Sequence, residues 1–193
     1  PAGGNLKEPV TESTKKAARC FYALSQQRSD SKRYPAIDPI ESYSQYLEYE
    51  EVKDYISENI SSDWHENVTR VRDVLIRGRE AHEQINILGD DGVPVDYHTR
   101  FWKSEVVDFI ILQQDAFDSI DCVTPLGRQK YMLDKVLEIN DTEMKFGSFE
   151  ETAIWFKKII NLCRQMNYSK FESEQFNTYQ RELDKMLKDI SEI

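Results

Sequence analysis

Apolar residues recur with helical spacing from about residue 39 to the end of the chain. Asp38, Pro39 and Glu41 have the residue types of an N-cap, N1 and N3 position. A helix is therefore predicted to begin near Pro39. The side chains expected to point inward from this helix are Tyr43, Tyr46 and Leu47.

Five further helices are predicted from apolar stripes, and a start signal precedes three of these stripes. Such signals are Ser62, Thr124 with Pro125, and the S-x-x-E sequence that begins at Ser148. The residues expected to face the core are, helix by helix, Val68, Val71, Leu75, Ile85 and Leu88, then Phe101, Trp102, Val106, Phe109 and Ile110, then Tyr131, Met132, Leu133, Val136 and Leu137, then Ile154, Trp155, Ile159, Leu162 and Met166, and finally Phe176, Tyr179, Leu183, Met186 and Ile190. Gly78 interrupts the first stripe at some cost in helix propensity. The pattern predicts an all-α bundle over residues 39–193.

The N-terminal segment has a different pattern. Residues 1–14 are polar and rich in turn-forming residues, and they precede an apolar run from Ala17 to Leu24. A run of this length suits either a buried strand or a short helix, and periodicity does not decide between them. If it is a strand without neighbours, its uncovered edge is a site for pairing with another chain.

The apolar helix that ends at Leu112 is followed by an unusual set of side chains. Residues 113–117 read Q-Q-D-A-F, whereas a helix that simply stops is more often followed by Gly or Asn. Amide, acidic and aromatic side chains can donate, accept and stack, so a binding surface is one interpretation. The alternative is that Phe117 joins the core, as an aromatic beside an apolar run usually does.

Charge and composition exclude several classes of function. The formal net charge of −10 disfavours a general nucleic-acid binder and adhesion to an anionic membrane. No run approaches the roughly 20 apolar residues of a membrane-spanning helix, and the N-terminal residues lack the pattern of a signal peptide. Because the first residue is not Met, a piece of a longer chain is expected.

The sequence offers no independent catalytic or metal-binding motif. Cys20, Cys122 and Cys163 form no C-x-x-C pair, which is typical of free thiols in a reducing cytoplasm. The three His residues have no metal-binding spacing, so no metal site is predicted. Neither G-x-x-x-x-G-K-[ST] nor G-x-G-x-x-G occurs, so the chain has no recognisable phosphate-binding loop and no assigned catalytic residue.

Three blocks, in order, resemble the C-terminal part of the catalytic A subunit of vacuolar-type and archaeal-type rotary ATPases. Residues 1–5 and 8–11 (P-A-G-G-N and E-P-V-T) are similar to P-P-G-G-D and E-P-V-T of that family. Residues 33–37 and 42–44 (R-Y-P-A-I and S-Y-S) are similar to its R-H-F-P-A-I and S-Y-S. Residues 112–118 with Asp121 (L-Q-Q-D-A-F-D) are similar to its L-Q-Q-N-A-F and V-D. Departures at Asp38-Pro39, Asp115 and Cys122-Val123 indicate a bacterial branch.

The resemblance implies a division of the chain and a ligand. Residues 1–38 would be the end of an α/β nucleotide-binding domain, and residues 39–193 a C-terminal all-helical domain, so a mainly α fold is expected. In the family, the aromatic residues that correspond to Tyr34 and Phe117 flank the adenine ring of ATP. Gln113 and Gln114 are further candidates for nucleotide contact, with less weight because a pair of amides at a helix end is as often a cap.

The resemblance also implies partners and a location. ATP or ADP with Mg²⁺ would bind the intact subunit, whereas this segment alone would bind no cofactor and would be inactive. The partners would be the alternating B subunits and the central-stalk rotor subunits, in a cytoplasmic assembly peripheral to the membrane. Two other hypotheses are a free-standing acidic helical adaptor with no nucleotide role, and the non-catalytic B subunit, which the Q-Q-D-A-F block disfavours.

Overall fold

The computed structural model describes residues 4–192, and these residues are mainly helical. They divide into two compact units, one ending at His65 and the other beginning at Glu66. Pro1, Ala2 and Gly3, which belong to the first block of the resemblance, lie outside the described residues. The prediction of a mainly α fold is confirmed. The assignment of residues 1–38 to a nucleotide-binding domain stays a prediction.

The first unit contains a small sheet among short helices. Its elements are α1 (Pro9–Ala17), β1 (Cys20–Leu24), α2 (Gln26–Asp30), β2 (Ile37–Ser44), a 3₁₀ turn (Gln45–Glu48) and α3 (Glu50–Asn59). The apolar run after Ala17 is therefore chiefly a strand. It pairs antiparallel with β2, with Phe21 opposite Tyr43 and Ala23 opposite Asp38.

The helix predicted to begin at Pro39 is wrong, because this segment lies in β2. The capping interactions themselves form: Asp38 Oδ1 accepts hydrogen bonds from the backbone N–H of Ile40, at 2.8 Å, and of Glu41, at 3.0 Å. They stabilise a local turn in the strand, where residues 39–42 lie opposite Tyr22 alone. Pairing with β1 thus outweighs the local helix signal.

The second unit is an α-helical bundle. It contains α4 (Trp64–Leu88, whose first two residues precede Glu66), α5 (Val95–Val107), α6 (Leu126–Asp141), α7 (Phe149–Asn167) and α8 (Glu174–Ser191). A short 3₁₀ turn (Asp90–Gly92) connects α4 with α5, and a π-helical turn (Asp108–Leu112) continues α5. The central helix α7 packs against both α5 and α8. Phe156, Ile159 and Leu183 are completely buried in this core.

Start signals predicted the helix boundaries in this unit with mixed success. Ser148 caps α7 as predicted, since its hydroxyl oxygen accepts from the Glu151 N–H at 3.2 Å. The helix expected from Thr124 and Pro125 begins at Leu126, so Pro125 is the N-cap and not N1. Ser62 does not directly precede α4, which begins at Trp64.

Two predicted core faces need correction. In α4 the buried positions are Asn67, Val71, Val74, Gly78 and Ala81, while Leu88 is exposed. In α7 the side chain of Ile154 is 58% exposed, because the buried face of that helix runs through Thr152, Phe156 and Ile159.

Candidate functional site

The loop that follows the π-helical turn carries the strongest candidate residue in the chain. Phe117 has a relative exposure of 101%, which is the value of a side chain fully surrounded by solvent. The interpretation that Phe117 joins the core is therefore wrong. A single exposed apolar residue is ordinary on a protein surface and does not by itself indicate a binding site. A backbone that holds the residue in its exposed position would be a further observation in favour of one.

Backbone bonds to carboxylates hold the tip of this loop, which we call the Phe117 loop (residues 113–121). Asp115 Oδ1 accepts from the Phe117 N–H at 2.9 Å. Asp118 Oδ1 accepts from the N–H groups of Ile120 and Asp121, each at 2.8 Å. These two bonds lower the pKa of the Asp118 carboxyl below its ordinary value, because they favour its ionised form. Such side-chain-to-backbone bonds are characteristic of tight turns formed by Asp.

The base of the Phe117 loop is closed by Asp121. Its Oδ2 accepts from the Asp115 N–H at 2.6 Å, and its main-chain oxygen accepts from Gln114 Nε2 at 2.7 Å. Burial raises the pKa of the Asp121 carboxyl, although the Asp115 N–H and the positive charge of Arg128 oppose that shift. The loop is thus pinned where it starts and where it ends.

A buried arginine supports the loop from the second unit's core. Arg128, in α6, is 2% exposed and donates to the main-chain oxygens of Met166, at 2.9 Å, and Asn167, at the end of α7. Asn167 Nδ2 in turn donates to the main-chain oxygen of Ile110 at 3.1 Å, inside the π-helical turn. The π-helical turn that precedes the loop is therefore bonded to the end of α7, which Arg128 in turn bonds to α6. Single π-helical turns occur frequently at functional sites.

The two predicted glutamines lie in the base of the loop. Gln113 Nε2 donates to Asp108 Oδ2 at 3.3 Å, and Gln114 Nε2 donates to Asp121 as described. Asp115 occupies a position where the family has Asn. Its carboxylate oxygen supplies the acceptor that the Phe117 N–H requires. Sequence reasoning pointed to Phe117 but missed Arg128, Asn167 and the role of Asp121, since nothing in their spacing shows that they meet.

Tyr34 lies in the first unit, between α2 and β2, and is 54% exposed. Its hydroxyl donates to the main-chain oxygen of Ser29 at 3.5 Å. An exposed aromatic face is thus present at the second position that the resemblance selected. The convergence of Tyr34 and Phe117 on one ligand stays a prediction.

The described residues were also considered as possible metal ligands and membrane spans. Between residues 4 and 192, no group of three or more His, Cys, Asp or Glu side chains is arranged to hold a metal ion. None of the helices in the same residues combines the length and the apolar character needed to cross a bilayer.

The fold also occurs in a solved structure. The chain is similar to the structure of the ATP synthase subunit NeqB from Nanoarcheaum equitans, with a TM-score of 0.56 over 74% of this chain and 33% of that one, at 19% identity. No protein-family model matches the chain.

Sequence comparison identifies the relatives more narrowly. The chain is 35% identical over 191 residues to the V-type ATP synthase alpha chain of Protochlamydia amoebophila, covering 99% of this chain and 32% of the relative. The corresponding protein of Borrelia duttonii is 34% identical over 191 residues, covering 97% and 30%. The chain is therefore homologous to V-type ATP synthase alpha chains along nearly all of its own length, which confirms the resemblance. It spans less than a third of the length of these curated relatives.

Proposed function

We propose that this chain is the C-terminal part of the catalytic A subunit of a V-type ATP synthase or ATPase, and that Phe117 contacts the adenine ring of bound ATP or ADP. The observation that carries the contact is the full exposure of Phe117 on a braced loop. A flat apolar ring held in water by its own backbone is suited to stacking on a base. Tyr34 is proposed as the second aromatic of the pocket.

The charges around Phe117 favour the base over the phosphates as its ligand. Asp115 and Asp118 flank the aromatic residue, and Asp121 lies just beyond it. Carboxylates so close to a polyphosphate would repel it, whereas an uncharged purine ring meets no such penalty. Gln114 bonds to Asp121 within the loop, and Gln113 bonds to Asp108 in the π-helical turn before it, so we propose that they support the pocket and make at most secondary contact with the nucleotide.

The phosphoryl chemistry is proposed to belong to the rest of the subunit. Phosphoryl transfer needs a phosphate-binding Lys, a Mg²⁺-binding hydroxyl, a residue that positions water and an arginine finger. This chain contains no phosphate-loop motif, so binding of Mg²⁺ and of the phosphates is assigned outside it. The chain alone is expected to show no ATP turnover above a heat-inactivated control. Measurable turnover would contradict this division.

The remaining expectations follow from the same assignment. The helices of the second unit would pass domain motion to the central-stalk rotor subunits, and neighbouring B subunits would complete the catalytic hexamer. The assembly would lie in the cytoplasm, attached to the membrane through other subunits. The adaptor hypothesis is tested by the coding sequence: an open frame with G-x-x-x-x-G-K-T upstream of Pro1 excludes it, and a start codon just before Pro1 supports it.

The adenine contact is tested by Phe117→Ala in the full-length subunit. Loss of base stacking is expected to weaken nucleotide binding by about 1–3 kcal/mol, or roughly 5- to 150-fold in Kd. Phe117→Trp should retain affinity because the flat ring is kept, whereas Phe117→Leu should not. Ile154→Ala is the matched control, since it truncates another exposed apolar side chain of the same unit. Equal affinity of the Phe117→Ala variant and the parent would refute the contact.

A further inference from the structure

Asp121 combines burial with bonds across the base of the Phe117 loop. It is 6% exposed, although Phe117, four positions earlier, is fully exposed. Through Oδ2 and its main-chain oxygen it binds Asp115 and Gln114, which lie on the opposite side of the loop. These two bonds join the segment that enters the loop to the segment that leaves it.

The bonds of Asp121 reach Phe117 through one intermediate residue. Asp121 fixes the backbone of Asp115, and the Asp115 side chain fixes the Phe117 N–H at 2.9 Å. Asp118 adds bonds to Ile120 and to Asp121 itself, so the tip is a closed set of carboxylate-to-backbone bonds. Removing the Asp121 carboxylate would leave the Asp115 N–H without this acceptor and release the Phe117 backbone.

Neighbouring groups act on the charge of the buried Asp121 carboxyl in both directions. The charge of buried Arg128 favours ionisation of both Asp121 and Asp118, and Arg128 is itself anchored on α7. Burial is the largest influence on the pKa of Asp121 and raises it, and the charges of Asp118 and Asp115 act in the same direction, whereas the Asp115 N–H and then Arg128 lower it. Removing one member of a buried pair of charges is destabilising, because the other charge is then left without its partner.

We propose that Asp121 is the positioning residue of the nucleotide site: its carboxylate closes the Phe117 loop and thereby holds the Phe117 ring where the purine stacks. This inference rests on the proposed adenine contact of Phe117. Asp121 does not touch the base, so its effect on binding passes through Phe117.

A double-mutant cycle in the full-length subunit tests this path. ATP and ADP affinities are measured for Phe117→Ala, Asp121→Ala, the double variant and the parent. Asp121→Ala is expected to raise Kd by no more than Phe117→Ala does, which is roughly 5- to 150-fold. In the Phe117→Ala background it is expected to raise Kd no further. If Asp121→Ala weakened binding only by destabilising the fold, the same loss of affinity would also appear in the Phe117→Ala background.

Controls separate charge, folding and positioning. Asp134→Ala removes a carboxylate of the same helical unit that is paired with Lys130 on the surface, and it should leave affinity unchanged. Asp121→Asn keeps an oxygen able to accept from the Asp115 N–H, so a partial loss is expected. Where Asp121→Ala fails to fold, as judged by thermal unfolding, Asp121→Asn replaces it in the cycle.

The outcomes distinguish the two proposals. If Phe117→Ala weakens binding while the Asp121 variants bind like the parent, or add an independent loss, the positioning role is overturned and the adenine contact stands. If Phe117→Ala has no effect, the adenine contact fails and the positioning role fails with it. If both single variants bind nucleotide more weakly and the double variant binds no more weakly than Phe117→Ala, both proposals are supported.

Discussion

Gly78 lies where α4 closely approaches α5, and its replacement by Ala is a sharp test of that packing. A Cβ atom at this position would lie 2.0 Å from Ser104 Oγ and 2.1 Å from Ser104 Cβ, on α5. Ordinary contacts between such atoms are about 3.5–4.0 Å. Because Ser104 Cβ is fixed to the helix backbone, a rotamer change cannot relieve the clash.

The expected effect is a balance of two opposing contributions. Replacing Gly by Ala inside a helix stabilises it by about 0.8–1.0 kcal/mol. Forcing an extra methyl group into a packed core costs about 1–3 kcal/mol and occasionally more. With a separation of 2.0 Å the cost should reach the upper end of that range, so the net loss is expected to be about 2 kcal/mol. For a chain of this size that corresponds to a fall of about 4–8 °C in Tm.

The assay is chemical and thermal unfolding of the chain, followed by far-UV circular dichroism and by the fluorescence of its three Trp residues, Trp64 in α4, Trp102 in α5 and Trp155 in α7. Gly127→Ala is the matched control, because a Cβ there would meet Phe171 at 3.9 Å, an ordinary contact. Ser104→Gly should restore stability in the Gly78→Ala background by relocating the small residue, a coupling of about 2 kcal/mol. If Gly78→Ala is as stable as Gly127→Ala, the close approach of α4 and α5 is refuted.

The remaining predictions concern two buried groups, Tyr131 and Cys163. The Tyr131 hydroxyl is buried without a hydrogen-bond partner among the described residues, so Tyr131→Phe should raise the free energy of unfolding by about 1 kcal/mol in denaturant titrations. Burial also raises the Tyr131 pKa above the ordinary 10.0, so the unfolded chain ionises first. Above about pH 10 the parent should therefore lose stability more steeply than the variant, and parallel pH profiles would contradict this. Burial raises the pKa of Cys163 to about 12, so a thiol reagent near neutral pH should modify exposed Cys122 in the native chain and Cys163 only after unfolding. Peptide mapping checks the order, and equal rates at the two positions would argue against the burial.

The helical bundle was largely readable from the sequence because its signals are local and repeated. The cap at Ser148 needs only a hydroxyl and a nearby N–H, and both are present within four residues. The stripe of α8 correctly placed Phe176, Leu183 and Ile190 in the core. Where a helix has several apolar faces, the choice of the buried one depends on its neighbours, and Ile154 was assigned wrongly for that reason.

The first unit shows the limit of local signals. Asp38 makes the bonds expected of an N-cap, yet no helix follows, because the next residues belong to a strand whose partner is some twenty positions earlier. A capping box is worth about 1 kcal/mol, and several backbone pairs with side-chain contacts outweigh it. No inspection of residues 38–41 alone could reveal that competition.

For the candidate site, the sequence indicated which aromatic residue to consider but not how it is held. A Phe side chain left in water forgoes about 1.5–3 kcal/mol of burial, so an unrestrained loop would tend to fold the ring back onto the bundle. The bonds from Asp115, Asp118 and Asp121 to the loop backbone oppose that collapse, and Arg128 stabilises two of those carboxylates. A chain under selection for stability alone would gain by burying Phe117 or by replacing it with a polar residue. We propose that a ligand covers the Phe117 ring when it binds, which would explain why the loop is braced with this ring exposed.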